Sequence, residues 1–131
     1  MKVLLADDSV LILERLQYIL RMFQQVEIVG TFANGTDTLE ALKVKKPDLA
    51  IVDIKMPGMS GLDVLKEIRK VNKAMRFIIL TFYTTDYYRD LALKEGVDYF
   101  FSKSEDFERV SQVVEEMVQR EENNKIKSKP N

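Results

Sequence analysis

Three aspartates, a threonine and a lysine carry most of the chemistry that this chain can offer. Asp7 and Asp8 follow the apolar run from Val3 to Ala6, and Asp53 follows the run from Leu49 to Val52. Thr81 closes the run from Phe77 to Leu80, and Lys103 stands just beyond Tyr99 to Phe101. If these run ends share one edge of a sheet, three carboxylates meet in one crevice. Like charges that close raise one another's pKa unless a cation neutralises them. Mg²⁺ suits such a site, because it prefers a few carboxylates plus waters and needs no nitrogen or sulfur. Lys103 adds a point charge and Thr81 a hydroxyl, and both suit a phosphoryl oxygen. Phosphoryl transfer needs mainly positioning and charge neutralisation, and this set supplies both.

Each residue also has an ordinary use. Asp8 or Ser9 can serve as a helix N-cap. Asp53 can cap the turn behind it, a threonine is common in strands, and a lone lysine is usually solvated. Singly, these uses are the better explanation. Jointly they are the poorer one, because five separate run ends would supply complementary chemistry by chance.

The elements that must position the set can be read along the chain. Leu49 to Val52 is apolar without a break, so it predicts a strand covered on both faces. That strand runs from Asp48 to Asp53. Pro57, Gly58 and Gly61 then make a turn, and Ser60 with Asp63 starts a helix. Before this stretch, the strand Val3 to Ala6 leads into a helix reaching about Phe23, with Ile12, Leu16, Ile19, Leu20 and Phe23 inward. A second strand covers Val26 to Thr31, and Asn34-Gly35 opens a helix carrying Leu39 and Leu42. After it, Leu62, Leu65 and Ile68 line the third helix. Phe77 to Leu80 is the fourth strand, and Thr84 or Thr85 caps the fourth helix, which Gly96 stops. Tyr99 to Phe101 is the fifth strand. Ser104 starts the last helix, with Phe107, Val110, Val113, Val114 and Met117 inward.

Strand and helix alternate five times, which predicts a three-layer α/β/α sandwich on a five-stranded parallel sheet. Residues 1–120 form one domain, and 121–131 read as a frayed helix end and a loose polar tail.

Composition excludes several classes. The chain has 131 residues, 46% of them apolar, which is enough for a core. There is no Cys and no His, so disulfides, thiolate zinc sites, a Ser-His triad and an internal phosphohistidine are out. Twenty basic residues face 21 acidic ones, which makes no electrostatic case for nucleic acid or an anionic membrane. No apolar run spans a membrane or makes a signal peptide, so a cytoplasmic location is expected.

The joint pattern of Asp7-Asp8, Asp53 followed by Met56-Pro57-Gly58-Met59-Ser60-Gly61, Thr81 and Lys103 resembles the CheY-like receiver domain of bacterial two-component response regulators. The resemblance runs from about Lys2 to Val118. It implies a flavodoxin-like sheet of order 2-1-3-4-5, with strands one and three adjacent at the topological switch point. It implies that Asp53 accepts a phosphoryl group from a sensor histidine kinase or a histidine phosphotransfer protein. Asp8, Asp53 and the backbone carbonyl of Lys55 would bind Mg²⁺ directly, and Asp7 mostly through water. Thr81 and Lys103 would hold phosphoryl oxygens. Phe100 matches the switch aromatic, and the signal would leave through the fourth helix, fifth strand and last helix toward an output protein or a phosphorylation-dependent dimer. Lys55 and Tyr83 stand at the two positions that tune phosphoryl lifetime in the family.

Three positions depart from the commonest family pattern. Phe82 replaces a small residue, and its ring would narrow the approach to Asp53. Phe100 lacks the hydroxyl of the frequent tyrosine. Ser104 stands where a proline often follows the lysine.

Two other classes fit the residues less well. An aspartate-nucleophile phosphatase needs a second aspartate two residues after the first, where this chain has Lys55. A flavin or nucleotide module needs a glycine- or hydroxyl-rich phosphate loop after the first strand, where Ala6-Asp7-Asp8-Ser9 is acidic. Within the receiver class, the expectation is a stand-alone switch that does not bind nucleic acid, not an enzyme acting on a separate substrate. The alternative is the receiver of a longer DNA-binding regulator.

Overall fold

A computed structural model describes residues 1–128 of the chain. Five strands and five helices alternate: β1 Lys2–Ala6, α1 Val10–Leu20, β2 Glu27–Phe32, α2 Gly35–Lys45, β3 Leu49–Val52, α3 Gly61–Arg69, β4 Arg76–Thr81, α4 Asp86–Lys94, β5 Tyr99–Ser102 and α5 Phe107–Ser128. The sheet is parallel throughout, in the order β2-β1-β3-β4-β5. The three-layer sandwich expected from the sequence is therefore what forms.

Alternate residues of the central strands feed two cores. Leu4, Ala6, Ala50, Val52, Phe77 and Ile79 pack with Leu42, Leu65, Ile68 and Ala92 from α2, α3 and α4. Val3, Leu5, Leu49, Ile51, Ile78 and Leu80 pack with Leu16, Leu20, Val110 and Val114 from α1 and α5. Every β3 side chain is buried, which is why Leu49 to Val52 needs no polar residue. Replacing one of these fully buried leucines by alanine costs on the order of 2–5 kcal/mol.

Caps set the helix starts at the site. Ser9, not Asp8, is the N-cap of α1, and its hydroxyl accepts from Ile12 N–H at 3.3 Å. Asn34 and Ser60 cap α2 and α3 in the same way. Thr85 occupies the N-cap of α4 without a side-chain bond, and Gly96 at φ +91° ends that helix region.

Two expectations are corrected at the C-terminal end. The last helix begins at Phe107, not at Ser104. The Ser102 hydroxyl accepts from the N–H groups of Ser104 and Glu105, and the Asp106 carboxylate accepts from Ser102 N–H. Those bonds hold residues 103–105 in a turn and delay the helix. Nor does the chain loosen after Arg120. α5 continues to Ser128, while residues 129–131 of the expected tail lie outside the described residues. Glu and Lys are good helix formers, so a polar run need not be a tail. Gln25 Nε2 also donates to Glu122 Oε1 at 2.7 Å, and the N-terminal ammonium lies 3.9 Å from Glu121. Elsewhere boundaries shift by a few residues. The α1 helix stops at Leu20, and Phe23 is reached through a tight turn in which its N–H donates to Leu20 O.

Candidate functional site

The carboxyl ends of β1 and β3 lie side by side, because Ala6 pairs with Val52. The next residue of each chain segment is an aspartate. Asp53 N–H donates to Ala6 O at 3.0 Å, so Asp53 is still held by the sheet although β3 ends at Val52. Asp7 and Asp53 are buried and Asp8 is exposed, and one oxygen of each lies within 4.8 Å of the others. The sequence expectation that three carboxylates share one crevice is met by this geometry.

The loop after β3 is shaped to pass close beneath Asp53. Gly61 lies against Asp53 O, and a Cβ there would overlap that backbone oxygen. Gly58 at φ +80° takes a backbone conformation that other residues avoid. Ile54 N–H donates to Asp53 Oδ1 at 2.7 Å, which fixes one carboxylate oxygen.

The other oxygen faces Lys103. Its Nζ lies 2.9 Å from Asp53 Oδ2 and 2.6 Å from Asp7 Oδ2. Asp7 Oδ1 accepts from Ser9 N–H at 2.8 Å. Burial pushes the Asp7 carboxyl above its usual range, with the Lys103 and Ser9 bonds pulling the other way. Burial alone would lower Lys103, but its hydrogen bonds to Asp7 and Asp53 outweigh that and raise it. Lys103 is therefore protonated across the neutral range.

Thr81 is fully buried at the end of β4, and its hydroxyl accepts from Tyr83 N–H at 3.2 Å. Lys103 N–H donates to Thr81 O at 3.0 Å, which ties the β5 end to the β4 end. The Lys103–Ser104 peptide is trans, since there is no cis bond among the described residues. Phe100 is buried in the core on the α4 side, with the Arg89 guanidinium 4.7 Å from its ring centroid.

Aromatic rings border the crevice. Phe82 is exposed, and Lys103 Nζ lies 5.1 Å from its ring centroid. Lys55 is exposed and sets its ammonium 5.2 Å from the Tyr83 centroid and 5.5 Å from that of Tyr88. Sequence reasoning selected Lys55, Phe82 and Tyr83 but missed Tyr88. Its only sequence signal was the density of tyrosine at 83, 87 and 88.

The donor set fits a divalent cation. Three carboxylates against one ammonium leave two negative charges, and every free donor is a hard oxygen. Lys103 stands beside Asp53, and Thr81 closes β4, the strand that pairs with β3.

The family model of the response regulator receiver domain matches residues 3–115. The chain belongs to that family. Among receiver-containing relatives, the Bacillus subtilis transcriptional regulatory protein YesN is 31% identical over 118 residues, covering 89% of this chain and 32% of that protein. DesR of the same organism is 28% identical, covering 88% of this chain and 57% of its own. The chain thus spans a third to three fifths of the length of these relatives. The response regulator domain of Thermotoga maritima CheB superposes with a TM-score of 0.79 at 27% identity, covering 92% of this chain and 94% of that one. A chain of the Borrelia burgdorferi CheX–CheY–BeF₃–Mg²⁺ complex gives 0.80 at 28% identity, covering 90% and 89%. As a receiver domain, the chain is a signalling switch of two-component systems. No helix among the described residues is long and apolar enough to cross a membrane.

Proposed function

We propose that Asp53 is the phosphoacceptor of this receiver, and that the donor is a phosphohistidine on a sensor histidine kinase or a histidine phosphotransfer protein. The observation that carries this reading is the double contact of Lys103 with Asp53 and Asp7 beside the three-carboxylate cluster. A carboxylate oxygen of Asp53 forms the new O–P bond, the P–N bond to the donor imidazole breaks, and its electron pair leaves on that nitrogen. Asp8, Asp53 and the Lys55 carbonyl would hold Mg²⁺, with Asp7 joining through water. When bound, Mg²⁺ supplies charge neutralisation for the entering phosphoryl oxygens. Lys103 exchanges its contact with Asp53 for one with a phosphoryl oxygen, and Thr81 turns its hydroxyl from Tyr83 N–H to another. The presence of BeF₃ and Mg²⁺ in the related CheY complex supports the same ligand chemistry here.

The output face is α4-β5-α5. Movement of Thr81 opens space beside Phe100, whose ring then swings inward. Val10 and Leu11, which open α1 just after Asp7 and Asp8, and Phe82 beside Lys103 are exposed and suit an apolar donor surface. The work is done in the cytoplasm, by self-catalysed transfer and hydrolysis. A second reading places the receiver in a longer DNA-binding regulator. It is favoured by the transcriptional names of YesN and DesR and by the partial coverage of both. In either reading the receiver itself does not bind nucleic acid, and dimerisation on phosphorylation is one route to output.

The test is mass measurement after incubation with Mg²⁺ and acetyl phosphate. One phosphoryl adduct is expected on the wild type and none on Asp53→Asn. A full adduct on Asp53→Asn would overturn the assignment.

A further inference from the structure

Lys55 lies two residues after Asp53, yet among the described residues it forms no ion pair with a carboxylate. Its partners are rings. The ammonium is 5.2 Å from the Tyr83 centroid and 5.5 Å from the Tyr88 centroid, within the range of cation–π attraction. The two rings also support each other, edge to face, with centroids 6.1 Å apart at 73°. Tyr87 also meets Tyr88 edge to face, at 5.4 Å and 70°.

The two tyrosines differ in anchorage. Tyr83 lies in the open segment between β4 and α4 and is 45% exposed. Tyr88 is half-buried on α4 and packs against the core that holds Phe77, Ile79 and Phe100. Tyr88 is therefore the fixed end of the cluster. The Lys55 end is tied to the site, because the same loop carries Ile54 N–H, which orients Asp53 Oδ1.

We propose that Tyr88 is a positioning residue that sets the lifetime of phosphorylated Asp53 by holding Lys55 in place. With its ammonium on the Tyr88 and Tyr83 rings, Lys55 keeps its stem at the rim of the crevice and its loop fixed behind Asp53. Hydrolysis needs a water oxygen to attack phosphorus in line with the Asp53 O–P bond. That bond then breaks, the electron pair returns to the Asp53 carboxylate, and phosphate leaves with the proton balance closed by solvent. Freed from Tyr88, Lys55 no longer screens that approach. The arrangement also ties lifetime to the placement of α4. This inference rests on Asp53 phosphorylation, so its test has one arm that does not.

That arm reads the contact itself. Reductively ¹³C-methylated protein should show a Lys55 methyl signal shifted upfield by the rings, and Tyr88→Ala should move it toward the free-lysine position. Tyr88→Phe should keep the shift, because the ring remains. A Lys55 signal already at the free position in the wild type would overturn the tether.

The second arm follows phosphoryl decay on unmethylated protein. Tyr88→Ala and Lys55→Met should each shorten the lifetime about 2- to 5-fold, the weight of one exposed cation–π contact. Tyr88→Phe should restore the wild-type lifetime, and the Tyr88→Ala, Lys55→Met pair should decay no faster than either single variant. A merely structural Tyr88 would lower the melting temperature but leave decay unchanged, and that result would overturn the proposal. So would fully additive effects in the pair. If the wild type takes no phosphoryl group while the Lys55 shift is present, the Asp53 reading fails and the lifetime role falls with it.

Discussion

Lys103 and Asp53, fifty residues apart in the chain, meet at 2.9 Å with their side chains only 3% and 6% exposed. The same ammonium lies 2.6 Å from Asp7. One cation thus neutralises two buried carboxylates at the point where β1, β3 and β5 end. Removing one partner from a buried charge cluster leaves the others uncompensated.

Lys103→Met should therefore destabilise the metal-free protein by about 3 kcal/mol, the lower end of the usual cost of breaking a buried pair. Urea unfolding in EDTA measures this. Mg²⁺ should recover more stability in the variant than in the wild type, since the cation replaces the lost charge. Equal stability of the two proteins in EDTA would show that water, not Lys103, satisfies the carboxylates.

Mg²⁺ itself should raise the melting temperature of the wild type. A ligand at 100 times its Kd contributes about 2.7 kcal/mol by mass action. Asp8→Asn should abolish most of that gain while stabilising the metal-free fold, because it removes one charge of three. Asp8 is exposed and makes no ion pair among the described residues, so the substitution breaks no contact of that kind. A wild-type melting temperature indifferent to millimolar Mg²⁺ would place the metal elsewhere.

The pH dependence separates Asp7 from Lys103. The Lys103 value is raised on folding, so its contribution is complete below the ordinary lysine value and is lost as pH rises through the folded value. The Asp7 value is also raised, chiefly by burial, which for an acid has the opposite meaning. Ionising Asp7 costs stability, and the fold weakens as pH rises from the ordinary aspartate value through the raised one. Unfolding free energies in EDTA should show both limbs. Asp7→Asn should remove the acid one, and Lys103→Met the alkaline one.

Phe100 should change rotamer when Thr81 turns to a phosphoryl oxygen. The ring is 8% exposed and the Arg89 guanidinium lies over it, so the signal can be read from both side chains. A structure with BeF₃ and Mg²⁺ should show the Thr81–Tyr83 bond broken and Phe100 moved. The same Phe100 rotamer in both states would make it an ordinary core ring. Thr81→Ala should still accept phosphoryl but leave Phe100 unmoved.

Phe82 stands 61% exposed beside the Lys103 ammonium and should slow entry to Asp53. Phe82→Ala should speed phosphorylation by acetyl phosphate by roughly 2- to 10-fold, within the reach of losing one ring contact and its steric bulk. The phosphorylated wild type should persist for minutes or longer by order of magnitude, as expected when the water must approach past a crowded rim. Decay within seconds, or no change in rate with Phe82→Ala, would show that the rings point away from the entry path.

How much of this was present in the residues can be judged at particular positions. The uninterrupted Leu49 to Val52 run pointed to a strand buried on both faces, and it is one. The Ser60 and Asn34 caps could be read because capping is local, a side chain bonding its own chain three residues on. Ser9 against Asp8 could not be decided, since both have the right oxygen. The structure decided it by position: α1 starts at Val10, so Ser9 is the residue whose hydroxyl reaches Ile12 N–H, while Asp7 accepts from Ser9 N–H and contacts Lys103. The Ser104 helix start failed for a related reason. Ser104 has the composition of a cap, but Ser102 and Asp106 use their side chains to close a turn first.

The sequence by itself determined the alternation of strand and helix, the polar residues that stand at or just past the ends of β1, β3, β4 and β5, and the absence of histidine and cysteine chemistry. Those are properties of period, cap and composition, which act within a few residues. Only the tertiary structure decided that Lys103 would bridge Asp7 and Asp53 and that Tyr88 would receive Lys55. Each depends on groups tens of residues apart being brought within a few ångströms. Charge and ring contacts fall off steeply with distance, so they exist only once the sheet order has fixed which strand ends are neighbours.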